Sequence, residues 1–320
     1  MQRISSWWKW PPEGGNRGGS IGASLLEPVE RSPVPAMKAH DESMSAADYS
    51  RLCGLIYDEA GIHLNAEKKT MLEARIRRRL KALSIASFSE YCATLFGRNG
   101  IKDEIPHLID VVTTNKTDFF REPKHFDFLT AKALPDLIAR NRLGRPLLIW
   151  SAGCSTGEEP YTLAMVMSEY AEKHPGFRFR ILATDVSTTV LAKADRGVYT
   201  NDVVAPVPAA LKLKYLLRSR DRSSEQVRIS PELRRLVEFR HLNFMDSDYG
   251  MAEKADAIFC RNVIIYFDRP TQERILGRLA DHVLPGGYMF VGHSETLHDM
   301  HLPLAPVAPA LYRRLEGNGR

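Results

Sequence analysis

The 320 residues carry 44% hydrophobic and 26% charged side chains, the balance of an ordinary globular chain able to bury one large core or two modest ones. A net charge of +5 is too mild at this length to argue for nucleic-acid binding, and no apolar run approaches the ~20 residues needed to cross a bilayer. Cys53, Cys92, Cys154 and Cys260 are scattered without a CxxC pair, which argues against a disulfide framework or a thiolate metal centre. The amino terminus, with Trp7, Trp8 and Trp10 followed by Pro11 and Pro12, lacks the apolar block of a secretory signal, so a cytoplasmic location is expected.

Residues 1–43, rich in Gly and Pro, are expected to form a disordered extension. Residues 44–112 are expected to form an all-α domain. Leu52, Leu55 and Ile56 recur at helical spacing, as do Leu72, Ile76, Leu80 and Leu83, and then Phe88, Tyr91, Cys92, Leu95 and Phe96. Residues 113–145 supply a linker and a first helix leading into a larger domain, 146–320. There the apolar run Pro146 to Trp150, a helix from Pro160 to about Glu172 and the run Phe179 to Ala183 make a βαβ unit, which implies parallel strands. Further strands are expected at Val237–Leu242, Ala257–Cys260 and Tyr288–Val291, with a helix over Thr271–Val283 and an edge strand near Pro309–Arg313. The predicted fold is a doubly wound, mostly parallel α/β sheet.

Ligands of such sheets bind beyond the carboxyl ends of the strands, and three motifs fall there. The first, Ser151-Ala152-Gly153-Cys154-Ser155-Thr156-Gly157-Glu158-Glu159-Pro160, is a small-residue turn entering a helix. Its two carboxylates would repel a pyrophosphate and welcome a cationic amino group; the plainer alternative is a tight turn with acidic helix-capping residues. Asp185 ends the next strand, where it either accepts hydrogen bonds from ribose hydroxyls or caps the following helix. In the third, Phe259 to Phe267, an apolar strand delivers Arg261 and Asn262 to the sheet edge, with Tyr266 one turn later. A fourth motif, Thr113 to Glu122, mixes polar groups with Phe119, Phe120 and Arg121 in the linker; it serves either to close a site or to latch the two domains together.

The ordered segments TTNKTDFFRE, WSAGCSTGEEPYTLAM, ATDVSTTVLAKADRGVY, FRHLNFMD, FCRNVIIYFD and PGGYMFVGHSE resemble the signature blocks of the CheR chemotaxis receptor methyltransferases, over about residues 45–315. The resemblance implies a class I, Rossmann-like S-adenosylmethionine methyltransferase domain behind the helical one, with a small antiparallel β insertion at about 197–240. It implies transfer of methyl groups to glutamate side chains on the cytoplasmic domain of methyl-accepting chemotaxis receptors by a monomer, without metal, nucleic acid or membrane insertion.

By the same resemblance, Asn115, Thr117 and Arg121 line the donor pocket from the linker side together with Gly153, and one of Glu158 and Glu159, placed as Glu159, meets the methionine amino group. Asp185 binds the ribose; Leu242, Asn243 and Phe244 border the adenine; Arg261 and Asn262 complete the pocket. Arg121 orients the acceptor carboxylate and Tyr266 packs near the methyl. In Glu67–Leu83, seven cations face two acids, and Arg75, Arg78 and Arg79 on the solvent side of the helix are expected to steer the Glu-rich receptor helices. The segment Arg218 to Gln226 is charged where tethering members of the family tend to carry glycines, so strong binding of a receptor tether is not expected. Rival readings are a nucleic-acid methyltransferase, for which no flipped-base motif is present, and a donor-binding regulator without turnover.

Overall fold

The structure is a computed structural model and describes residues 43–97, 101–141, 144–219, 221 and 223–316. The expected amino-terminal extension lies, but for Ser43, outside the described residues.

Four helices open the described chain. In α1 (Ala46–Ala60) the Ser45 hydroxyl accepts from the Asp48 amide, and Ser87 caps α3 (Phe88–Leu95) in the same way through Glu90, each satisfying an otherwise orphaned first-turn N–H. Between them α2 (Lys69–Leu83) ends on Ser84 in a left-handed conformation. A fourth helix beyond the three periodic segments, α4 (Ile101–Val112), carries Pro106. Its Leu108, Ile109 and Val112 close the core formed by Leu52, Ile56, Leu72, Ile76, Leu80 and Tyr91, and that burial outweighs the lost proline N–H.

The basic face of α2 is largely used up inside this domain, which corrects the expectation of a free cationic stripe. Arg75 donates to the carbonyls of Val112 and Thr113 (the latter at 3.1 Å) and to Thr114 Oγ1 at 2.8 Å. Arg79 grips Glu104 with two bonds of 2.7 and 2.6 Å, and Tyr91 donates to the same carboxylate at 3.0 Å. Arg77 lies over the Phe88 ring. A guanidinium withdrawn from water needs such partners; Arg78 and Lys81 are the two cations in Arg75–Lys81 that remain exposed.

The linker leads through α5 (Lys124–Phe128), one π turn and α6 (Leu134–Arg140) into the sheet domain. Its elements are β1 (Leu147–Ala152), α7 (Glu158–Lys173), β2 (Phe179–Asp185), α8 (Thr188–Arg196), β3 (Val198–Thr200), α9 (Ala209–Tyr215), β4 (Leu216–Arg218), β5 (Gln226–Ile229), α10 (Pro231–Arg234), β6 (Val237–His241), β7 (Ala255–Cys260), α11 (Arg269–Asp281), β8 (Val283–Val291), β9 (Leu304–Ala308) and β10 (Leu311–Arg314). Seven strands form one sheet in the order β6-β2-β1-β7-β8-β10-β9, the first five parallel. β3, β5 and β4 make a separate antiparallel sheet. Alternate residues of β1 enter opposite cores: Leu147 and Ile149 on one side, Leu148, Trp150 and Ala152 on the other. That is why the strand reads as a continuous apolar run. The closing strand is not at the edge as expected: β10 lies between β8 and the unforeseen β9, and Pro306 sits in that outer strand, where a missing donor costs least. Among the described residues no helix is long and apolar enough to cross a membrane.

Candidate active site

The strand order reverses between β1 and β7, and the carboxyl ends of β1, β2, β6 and β7 open there into a cleft roofed by the linker and the helical domain. The cleft encloses about 1020 Å³ of free space, its mouth included. Hydrogen bonds fix the roof to the sheet domain: His63 N donates to the Tyr266 carbonyl at 2.9 Å, Tyr57 Oη to Asp268 at 2.9 Å and Asn243 Nδ2 to the Glu59 carbonyl at 2.6 Å.

Gly153 turns the chain out of β1 with φ 83°, and a Cβ there would stand 2.5 Å from Val263 Cγ2, so the two loops meet only over a glycine. The turn then delivers Glu158 and Glu159 to the first turn of α7, about 100° apart around the axis, so they cannot face the same way. Glu159 lines the cleft. Its Oε1 accepts from Ser151 Oγ at 2.7 Å and its Oε2 from Arg261 at 3.1 Å. Burial pushes its carboxyl above the usual range, with Arg261 and Ser151 pulling the other way. Glu158 is turned away, capped by Thr156 Oγ1 at 2.6 Å, and does not line the cleft, so its inclusion among the pocket residues is corrected.

Asp185 lines the cleft as well. It accepts from the amides of Ser155 (2.8 Å) and Ser187 (3.0 Å), while Ser187, not Asp185, caps α8. Burial raises its carboxyl above the ordinary value, partly offset by those amides. Arg261, 2% exposed, is the hub of the site. Besides Glu159 it donates to Glu122 Oε2 at 3.1 Å and to the Arg121 carbonyl, and it rests over the Phe126 ring. Burial alone would raise the Glu122 carboxyl, but Arg261 and the His293 amide outweigh it and hold the group below its usual range.

Asn115, Thr117, Arg121, Leu242, Asn243, Phe244, Asn262 and Tyr266 also line the cleft, so the structure brings together every expected pocket residue except Glu158. Asn243 has its amide N–H committed to Glu59. Asn262, at φ 58°, holds a buried Oδ1 without a hydrogen-bond partner. Arg75, Arg78 and Arg79 lie outside the lining. Sequence reasoning missed Glu122 and Ser155. The usable signal for Glu122 was Arg261 itself, because a cation delivered by an apolar strand must meet a counter-charge.

Residues 115–308 match the CheR methyltransferase SAM-binding domain, and residues 47–113 match the CheR methyltransferase all-alpha domain. The chain belongs to the CheR methyltransferase family. It is 40% identical to a chemotaxis protein methyltransferase of Borreliella burgdorferi over 83% of this chain and 94% of that one. It is 39% identical to chemotaxis protein methyltransferase 2 of Pseudomonas aeruginosa over 85% and 94%, and 38% identical to the Escherichia coli chemotaxis protein methyltransferase over 79% and 85%. This CheR enzyme is therefore an S-adenosylmethionine-dependent methyltransferase, with the fold its motifs imply. The cleft fits such a donor: the largely buried Glu159 and the buried Asp185 present carboxylates suited to an ammonium and to hydroxyl groups, and Asn262 Oδ1 is a buried acceptor without a partner.

Proposed function

We propose that this enzyme esterifies glutamate side chains on the cytoplasmic domain of chemotaxis receptors, and that Glu159 is the anchor of the methyl donor. The observation that carries the reading is the placement of Glu159: a largely buried carboxylate at the helix entrance, lining the cleft and balanced by a single arginine. In that cleft Glu159 holds the donor's ammonium, Asp185 accepts from its ribose hydroxyls, and Leu242 and Phe244 flank its adenine. Gly153 lets the donor approach the backbone, while Asn115, Thr117, Asn262 and Arg261 complete the polar lining.

S-adenosylmethionine supplies an electrophilic methyl on a sulfonium; a carboxylate oxygen gains that carbon as the carbon–sulfur bond breaks, its electron pair staying on sulfur. A glutamate acceptor, with a reference pKa near about 4.3, is already ionised at neutral pH, so no proton has to be removed. Neither histidine nor cysteine lines the cleft among the described residues, in keeping with that chemistry. The work left to the protein is to orient the carboxylate, through Arg121, and to exclude water, with Tyr266 packed near the transferred methyl. Transfer of tritiated methyl groups to receptor-bearing membranes tests the reading. An ester releases the label as volatile methanol in alkali; alkali-stable label, the mark of N-methylation, contradicts it.

Receptor steering, if confined to the exposed cations, falls to Arg78 and Lys81. Reversing both to Glu is expected to raise the receptor KM several-fold, more at low salt, and to leave S-adenosylhomocysteine affinity unchanged. An unaltered receptor KM would remove α2 from recognition. The enzyme acts as a cytoplasmic monomer recruited to receptor arrays in this reading.

A further inference from the structure

Beside the donor cleft lies a cluster of which only Glu122, through Arg261, takes part in the site described above. Glu122, His125 and His293 each bring one ligand atom to within 4.8 Å of the others. Glu122 and His125 sit three residues apart at the turn entering α5, the spacing that puts a carboxylate and an imidazole on one side of a helical turn. His293 arrives from the loop after β8, and its amide already donates to Glu122 Oε1 at 3.3 Å.

His125 is the second, independent observation. Its side chain is 1% exposed, edge-on to the rings of Phe290 (5.8 Å) and His293 (4.9 Å), and neither ring nitrogen has a hydrogen-bond partner. Nδ1 stands 3.4 Å from Glu122 Oε2 without hydrogen-bond alignment. Two idle nitrogens on a buried ring are costly and call for an explanation. A second cavity, lined by Lys124, His125, Phe128, His293 and Ala308 to Leu311, opens onto the ring and gives access to it from outside the donor cleft.

We propose that Glu122, His125 and His293 form an inhibitory site for a borderline divalent transition-metal ion of the zinc class. Two imidazoles and one carboxylate suit such an ion, with water completing the shell; magnesium and calcium favour oxygen-only sets. Inhibition follows from the shared carboxylate. Glu122 Oε2 is also the partner of Arg261, and Arg261 holds Glu159 at 3.1 Å. A dication that draws Glu122 away leaves the Arg261 charge to Glu159 alone, so Glu159 has less left for the donor's ammonium. This coupling rests on the assignment of Glu159 as the donor's anchor.

Cobalt(II), whose visible d–d bands report low-symmetry nitrogen–oxygen coordination, is the probe, titrated into the full chain. The expected result is a saturable one-to-one spectrum that excess magnesium leaves intact. Affinity should fall about tenfold or more in His293→Ala, since loss even of an outer partner costs that much at metal sites. Zinc saturation should weaken S-adenosylhomocysteine binding in the wild type and not in His293→Ala. The site is overturned if no saturable spectrum forms, or if His293→Ala binds cobalt as tightly as the wild type. Cobalt binding with unchanged S-adenosylhomocysteine affinity overturns the inhibition. Titration of S-adenosylhomocysteine into metal-free wild type and Glu159→Gln tests the anchor separately, so the two failures are distinguishable.

Discussion

Arg261→Met is expected to cost about 3–5 kcal/mol of folding stability and to abolish measurable donor binding, the largest effect of any single substitution in the cleft. The methionine preserves much of the aliphatic volume over Phe126, so the loss is electrostatic. Glu159 and Glu122 would face each other with their shared counter-charge gone, one beneath Ser151 and the other beneath the His293 amide. Both carboxyls would then titrate higher than in the wild type. A group whose folded pKa is raised contributes stability below its unfolded pKa and loses it as pH rises through the folded one. The deficit of the variant should therefore shrink on acidification and grow toward neutral pH. Urea unfolding at two pH values, with the midpoint as readout, checks both the size and the sign. Adding Glu122→Gln should return part of the loss, because one unpaired charge is removed with the second substitution. A variant as stable as the wild type at neutral pH would show that water, not Arg261, balances these carboxylates.

Glu295→Ala should be nearly as severe, although Glu295 does not itself line the cleft. Its Oε1 accepts from the amides of Val263 (2.8 Å) and Ile264 (3.0 Å), and its Oε2 from Asn262 (2.9 Å) and Gly292 (2.5 Å). One carboxylate thus ties the loop after β7 to the loop after β8 and holds Asn262 at its positive φ. Burial raises the Glu295 carboxyl, with the four amides pulling it back. Unsatisfied buried groups cost about 1–3 kcal/mol each without adding fully, so a loss near 3 kcal/mol is expected. Glu295→Gln should be intermediate in stability, because its NH2 turns a donor toward amides that need acceptors. In both variants the donor KM should rise more than kcat falls, and hydrogen exchange at Val263 and Ile264 should quicken. Protected amides with a normal donor KM would assign those bonds no part in shaping the cleft.

Much of this was legible along the chain, for a physical reason that also marks where legibility ends. β1 and β2 are buried on both faces, so their apolar runs announce themselves, and the small-residue turn and Asp185 fall directly after them. The helical angle between neighbours tells that Glu158 and Glu159 cannot both enter the cleft, but not which of them does; only the resemblance favoured Glu159. The arginines of α2 were misjudged because a charge run does not display its partners: Glu104 lies 25 residues on from Arg79, and Arg75 is held by backbone carbonyls that carry no residue signature at all. Glu295 and Glu122 went unassigned for the same reason, as their partners are main-chain amides and an arginine more than a hundred residues away. The β9–β10 hairpin was half seen, since Pro306 and a short run hide a strand that survives only at the sheet edge.

Calorimetric titration of S-adenosylhomocysteine into the wild type and Glu159→Gln, at neutral and lower pH, addresses the central claim most directly. One-site binding is predicted for the wild type, weakening as pH falls and the burial-raised Glu159 carboxyl takes up a proton. Glu159→Gln should bind about tenfold or more weaker, the worth of one charged hydrogen bond, and lose that pH dependence. Equal affinities for the two proteins across the pH range would contradict the account.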